Sequence, residues 1–346
     1  MNQLTTFALD ALVKSAVVAL ALTTGFAYTT LLERRFIALI QQRIGPNRTG
    51  PQGFFQPAAD AVKLIFKEDI IPTGADKAVF SIAPAITAVP ALIVLAVVPL
   101  GGEVNLFGYK TVLGIADINV GLLYIMAVTS IAVYGITLAG WASNNKYAMI
   151  GGLRSTAQML SYEIARGLSM LAPVMLVGSM SVTQIIDAQS RTWLIFTPTG
   201  FIAAVIFIIT MFAETNRAPF DLPEAEQELT AGYFTEYSGM RFGAFFMAEY
   251  IKMIAVSAIA ASLFLGGFRL FGAENLLYGW AAPIILMGKI FVFLLLYIWV
   301  RATLPRMRYD KLMSFGWKVL LPIALANACI TAVLVAFNWI PAIASK

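Results

Sequence analysis

The sequence has no histidine, a single cysteine among 346 residues, and only 12% charged residues, where an ordinary soluble domain carries roughly 25%. Each shortage excludes something. Zinc sites, haem ligation by His, Fe–S clusters held by several Cys, and Ser-His or Cys-His catalysis all need residues this chain lacks. Any redox centre it serves has to sit on another chain. Cys329 can form no internal disulfide, and its apolar surroundings read it as a small packing residue rather than a reactive thiol. Scarce charge combined with 59% hydrophobic residues and a mean hydropathy of +0.79 excludes a water-soluble globule. Chain length therefore counts membrane spans rather than soluble domains.

Segments of about 20 mostly apolar residues fall near 11–32, 79–100, 120–139, 150–177, 193–213, 242–266, 280–300 and 317–340. They predict an all-α integral membrane protein of eight transmembrane helices in one domain over 1–346. The fourth span is interrupted by Arg154, Glu163 and Arg166, and Pro173 predicts a kink in it. Sidedness follows from the basic residues, which short cytoplasmic loops should hold. Arg34, Arg35, Arg43, Arg48, Lys63, Lys67, Lys77, Lys146, Arg154, Arg217, Arg241 and the run from Arg301 to Lys318 fall on one side of an eight-span chain, whereas Lys14, Lys110, Arg191, Arg269 and Lys346 fall on the other. Both termini are thus expected on the periplasmic side or its equivalent. Asp10 and Lys14 cancel ahead of the first apolar run and Arg34 and Arg35 follow it, the pattern of a retained anchor rather than a cleaved signal. The pI of about 9.2 expresses this sidedness and needs no nucleic-acid partner.

The first cytoplasmic loop is dense in Gly and Pro: Gln41-Gln42-Arg43-Ile44-Gly45-Pro46-Asn47-Arg48, then Gly50-Pro51-Gln52-Gly53. Such density marks a tightly turned, irregular backbone. From Phe54 to Glu68, Phe54, Ala58, Ala61, Val62 and Ile65 recur at helical spacing while Asp60, Lys63 and Lys67 share the opposite face. That predicts an amphipathic helix at the membrane surface. It could be a plain surface anchor, or a roof over a lateral opening for a lipid-soluble substrate. The residue pattern leaves both readings open.

Ionisable residues inside apolar helices are costly and are functional-site hypotheses by default. Glu163, Glu214 and Glu249 qualify, and each has a basic residue three positions later: Arg166, Arg217 and Lys252. On a helix that spacing puts both members on one face, so three ion pairs are expected. Pairs of this kind either knit helices together or line a hydrated polar path. The fifth loop, Glu214 to Glu228, carries five carboxylates: Glu214, Asp221, Glu224, Glu226 and Glu228. Asp221 and Glu224 resemble a capping box with Pro223 in the first turn. Glu224 and Glu228 would then sit one turn apart, where mutual repulsion raises the pKa of at least one. Glu236 and Tyr237 follow before the next span.

Gln41 to Glu68 and Glu214 to Met240 closely resemble the signature segments of one family, the quinone-channel membrane subunit of respiratory complex I (NADH:quinone oxidoreductase), numbered 1 in mitochondria and lettered H in bacteria. The resemblance runs the length of the chain. It implies a protein of the bacterial plasma membrane or mitochondrial inner membrane that joins the proton-pumping membrane arm to a peripheral arm whose subunits carry FMN and Fe–S clusters. Implied partners are the quinone-site and terminal Fe–S subunits, the antiporter-like and small membrane-arm subunits, and lipids, with quinone as substrate. By motif match, Arg34, Asp60, Ala61 and Lys63 would line the mouth of a quinone channel bounded by the first helix, the sixth helix and the amphipathic helix. Arg43 and Arg48 would shape the loop facing the peripheral arm. Glu163, Glu214, Asp221, Glu224, Glu228 and Glu249 would form a proton path with Arg217 and Lys252 as charge partners. Glu33, Glu226, Glu236, Tyr237, Arg241 and Tyr250 form a second group.

Two rivals bound this reading. A secondary transporter would show inverted repeats and broken midplane helices, neither of which is evident. The equivalent subunit of a membrane-bound hydrogenase would share the fold without a quinone site, and the wording Pro-Phe-Asp-Leu-Pro-Glu-Ala-Glu in the fifth loop favours the quinone enzyme.

Overall fold

The computed structural model describes residues 3–106, 109–221, 231–271 and 281–337. Helix α1 spans Gln3–Ile40 and is followed by the short surface helix α2, Gln56–Phe66. Next come α3 (Lys77–Ile93, extended by a 3-10 turn to Val97) and the antiparallel strands β1 (Glu103–Leu106) and β2 (Tyr109–Val112), with Glu103 opposite Val112. Helices α4 (Gly121–Ala142), α5 (Lys146–Val177), α6 (Val182–Ala188) and α7 (Pro198–Glu214) follow. After a 3-10 turn at Gly232–Phe234 come α8 (Gly239–Phe264), α9 (Ala282–Thr303), α10 (Tyr309–Phe315), a π turn at Gly316–Leu320, and α11 (Leu321–Ala336).

Among the described residues, seven helices are long and apolar enough to cross a membrane, and the protein is a multi-pass membrane protein. A bilayer core offers the backbone no water, so only helices that satisfy their own N–H and C=O groups suit it here. The fifth predicted span is represented by α7, whose 17 residues reach about 26 Å at 1.5 Å per residue, the short end of what crosses a hydrocarbon core.

Local chemistry sets the ends. Asp76 caps α3 by accepting from the Ala78 and Val79 amides at 3.1 and 3.3 Å, and Asn145 caps α5 through the Tyr147 amide at 2.9 Å. Left-handed Gly178 closes α5, the usual glycine terminus. Helix α7 starts on Thr197 with Pro198 behind it and stops at Glu214, where Thr215 leaves helical geometry and Asn216 turns left-handed at φ 51.

Helix α8 is the hub, with 78% of its apolar window buried, and it packs against α1, α2, α3, α7 and α9. Helices α3, α4 and α5 form a tight sheaf beside it. Small residues permit the close approach: a Cβ added at Gly135 of α4 would fall 2.8 Å from the Thr87 backbone N.

Several expectations are corrected. Helix α1 does not end near Leu32 but continues to Ile40, placing Glu33, Arg34 and Arg35 on its last turns instead of in a loop; no proline or glycine interrupts that stretch. The loop after α3 folds into the strand pair β1–β2, which the hydropathy pattern hid. Cys329 is exposed on α11.

Candidate functional site

Six ionisable side chains converge in the interior, and none of Glu33, Glu214, Glu249, Arg166, Arg217 and Lys252 is more than 8% exposed. Charges removed from water are tolerated only when partnered, and the partners divide them into two networks.

The first network joins α1, the end of the α7 turn, α8 and α9. Glu33 on α1 accepts from the Tyr250 hydroxyl at 2.8 Å and is paired with Arg301 at the last turn of α9. Arg217 lies 3.7 Å from Glu33 and 3.8 Å from Glu249, with its guanidinium carbon 4.3 Å from the centre of the Tyr250 ring. The Tyr233 hydroxyl reaches Glu249 at 3.5 Å. Among the described residues, two acids thus face two arginines.

The second network joins α4, α5, α7 and α8. Arg166 is paired with Glu214 and lies 3.8 Å from Glu163, while its Nη2 donates to the Thr129 hydroxyl at 2.7 Å. The Ser130 hydroxyl donates to Glu163. Lys252 of α8 lies within electrostatic reach of Arg166, Glu163 and Glu249. Counting Lys252, this set too has two acids and two bases among the described residues.

The three expected pairs therefore fare differently. Glu163 does pair with Arg166. Glu214 does not pair with Arg217: the helix ends at Glu214, so the three-residue rule no longer applies, and the two side chains go to opposite networks. Glu249 turns toward Arg217 and Tyr233 rather than along its own helix, and among the described residues no carboxylate lies within 4.0 Å of the Lys252 ammonium. Glu33 and Tyr250, placed in the second group by sequence, stand at the centre of the first network.

The turn after α7 links the two sets. Gln158 of α5, fully buried, donates through Nε2 to the carbonyls of Ala213 and Phe220, both at 2.8 Å, and lies 3.3 Å from the Asn216 side-chain oxygen. The Asn216 amide donates to the Ser155 hydroxyl at 3.2 Å. Asp221 is paired with Arg306 at 3.1 Å. Glu224, Glu226 and Glu228, with the helix start expected there, lie outside the described residues.

At the first loop, Asp60 of α2 is paired with Arg34 of α1 at 2.7 Å and lies 3.9 Å from Lys63. Its other oxygen accepts from Gln56 at 3.3 Å. Ala61, Arg43 and Arg48 are exposed, with Arg43 donating to Gln41 at 2.8 Å. Helix α2 has no buried residue. It rests on α1 and α8, with the Phe54 ring 5.0 Å from that of Tyr28.

The remaining second-group residues form a separate cluster. Glu236 accepts from Asn145 at 2.7 Å and lines an open cleft of about 330 Å³ with Pro72, Gly74 and Tyr147. The Tyr237 hydroxyl donates to the Phe80 carbonyl at 3.2 Å and its ring stacks on Phe80 at 4.0 Å. Burial pushes the Tyr237 phenol up, against a smaller opposite pull from Arg241, so it stays neutral at physiological pH. Arg241 lies 3.4 Å from Asp69.

Sequence reasoning missed Arg301 and Arg306, which it read only as topological charges, and Thr129, Ser130, Gln158 and Asn216. Uncharged polar side chains within predicted spans were the available signal for Thr129, Ser130 and Gln158; Asn216 stood in the charged fifth loop.

The sequence pattern of the NADH dehydrogenase family matches residues 13–332. Similar proteins include the H subunit of the NADH-quinone oxidoreductase of Protochlamydia amoebophila, 54% identical over 311 residues covering 89% of this chain and 92% of that protein. The first-numbered H subunit of Geobacter metallireducens is 49% identical over 322 residues, 92% of this chain and 94% of its own, and the H subunit of Deinococcus deserti is 52% identical over 334 residues, 94% and 84% respectively. The chain accordingly belongs to the NADH dehydrogenase family, standing with the H subunits of NADH-quinone oxidoreductase.

Proposed function

We propose that this chain shelters the quinone channel of a proton-pumping NADH-quinone oxidoreductase and carries the first part of the proton path that quinone reduction drives. The observation that supports this reading is the adjacency of two largely buried networks, Glu33–Arg217–Glu249–Arg301 and Glu163–Arg166–Glu214–Lys252, each with two acids and two bases among the described residues and joined through the Glu214–Arg217 turn. A purely structural pair would not need four carboxylates held inside a membrane domain. Electrons come from an Fe–S cluster on a peripheral-arm subunit, and quinone supplies the acceptor chemistry.

What this chain's own residues do is electrostatic. Arg34, Asp60, Ala61 and Lys63 frame the mouth beneath α2, a surface helix with no buried residue that rests on α1 and α8. Arg43 and Arg48 face the peripheral arm from the first loop. A unit charge developing some 10 Å from a network carboxylate shifts it by about 1.7 kcal/mol at an effective dielectric of about 20, roughly one pKa unit. That biases proton transfer along Glu33, Glu249, Glu214 and Glu163, and rearrangement of the loops supplies the rest. The basic loops face the cytoplasm or matrix, with both termini on the opposite side.

Glu214→Gln tests the reading. The complex assembles, while NADH-driven proton pumping in membrane vesicles falls by about tenfold or more, about 1.4 kcal/mol or more in barrier. Wild-type coupled turnover in that variant removes Glu214 from the path.

A further inference from the structure

One face of α5 reads the turn that connects the two networks. Ser155, Gln158, Tyr162 and Arg166 are spaced three and four residues apart, which places them on one stripe of the helix. Arg166 takes Glu214, at the start of the turn, into the second network. Tyr162 packs its ring against Phe220, at the far end, with centroids 5.4 Å apart, and donates its hydroxyl to the Leu312 carbonyl of α10 at 2.9 Å. Gln158 lies between them. Its single amide group draws together two carbonyls seven residues apart in sequence, Ala213 and Phe220, at 2.8 Å each. Everything that leaves the turn for the networks, Glu214 one way and Arg217 the other, lies within that loop.

The clamp has few substitutes. The segment departs from helix at Thr215 and passes through left-handed Asn216. Its backbone bonds are the Thr215 amide to the Met211 carbonyl and the Arg217 amide to the Phe212 carbonyl, both at 3.2 Å, the Phe220 amide to the Arg217 carbonyl at 2.9 Å, and the Met307 amide to the Pro219 carbonyl at 3.0 Å, none of which uses the carbonyls of Ala213 or Phe220. The carbonyls of Ala213 and Phe220 point away from those bonds and into α5. In a buried site, an acceptor deprived of its donor is expensive and the backbone moves to find another. Without the Gln158 amide the turn relaxes, and the relative placement of Glu214 and Arg217 relaxes with it.

We propose that Gln158 is the positioning residue of the proton path, its carboxamide holding the 213–220 turn closed so that Glu214 and Arg217 stay registered in their separate networks. This rests on the proton-path reading above. Gln158 itself exchanges no proton; it sets the spacing across which a charge change in one network is felt by the other.

The test uses the whole complex in membrane vesicles, normalised to assembled complex on native gels. Gln158→Met keeps length and volume and removes the donors. The expected result is a fall of about tenfold in NADH-driven proton pumping, together with a displaced pH profile, which mere loss of folded protein would not produce. Gln158→Glu, which can donate only when protonated, regains pumping on the acid side of the profile. Asn216→Gly retains the left-handed backbone while dropping the amide beside Gln158, so it moves the profile the same way by about threefold in rate, and it carries the test alone if Gln158→Met fails to assemble. A wild-type pH profile in every variant that assembles overturns the proposal. Loss of pumping in Glu214→Gln alongside wild-type behaviour at Gln158 and Asn216 overturns only this assignment, whereas wild-type pumping in Glu214→Gln overturns the path reading beneath it.

Discussion

Arg166 serves two acids, Glu163 and Glu214, from a position only 1% exposed. Removing one member of a buried pair costs about 3–5 kcal/mol because it strands the partner charge, whereas replacing the members together is far milder. Arg166→Met is therefore expected to reduce assembled complex severely, and the double variant Arg166→Met/Glu214→Gln to restore much of the assembly without restoring proton pumping; native gels and vesicle pumping assays read the two effects separately. Equal assembly in the single and double variants would show that the pair holds no stranded charge. At this scale the sequence paired Glu163 with Arg166 as the fold does, but not Glu214 with Arg217, since Glu214 goes to Arg166 instead. Spacing along a helix names a partner only while the helix lasts, and it ends at Glu214. The contacts from Arg217 to Glu33 and from Arg301 to Glu33 join residues far apart in the chain, so no local pattern could announce them.

Among the elements, the close contacts of α5 matter most, since α5 carries Gln158, Glu163 and Arg166. A Cβ at Gly151 of α5 would fall 2.6 Å from the Gly232 Cα, in the 3-10 turn whose Tyr233 reaches Glu249. Gly151→Val is expected to destabilise by about 1–3 kcal/mol through overpacking against backbone, read as a lower thermal inactivation midpoint. Gly102→Val, in the loop before β1 where nothing lies within 4 Å of a new Cβ, should change stability by less than about 0.5 kcal/mol. A Gly151 variant as stable as the Gly102 one would contradict the packing described. Long apolar runs made the helices legible. Their ends were less so: hydropathy ended α1 early because Glu33 and the two arginines look like loop residues, though the first of them is buried against α8 and α9. The strands β1 and β2, four residues each, are too short to separate from loop by pattern.

For the whole molecule, sidedness is the property still to be measured. With Cys329→Ser as background, a membrane-impermeant maleimide should label Gly102→Cys only from the outer face and Asp310→Cys only in inverted vesicles; labelling of both from one face would overturn the topology. Membrane class was plain from composition, since scarce charge and abundant apolar residues admit little else. How the buried charges share counter-ions was not, because that depends on helices meeting in three dimensions. Their arrangement has a consequence for capacity. Among the described residues acids and bases are evenly matched in each network, so a first proton arriving at that set leaves a net positive charge in a poorly screened interior. A second, about 5 Å from the first, meets a repulsion of roughly 3 kcal/mol at an effective dielectric of about 20, near two pKa units. Under the proton path proposed above, the described members of each network take up protons one at a time, and each network discharges toward a neighbour before it loads again.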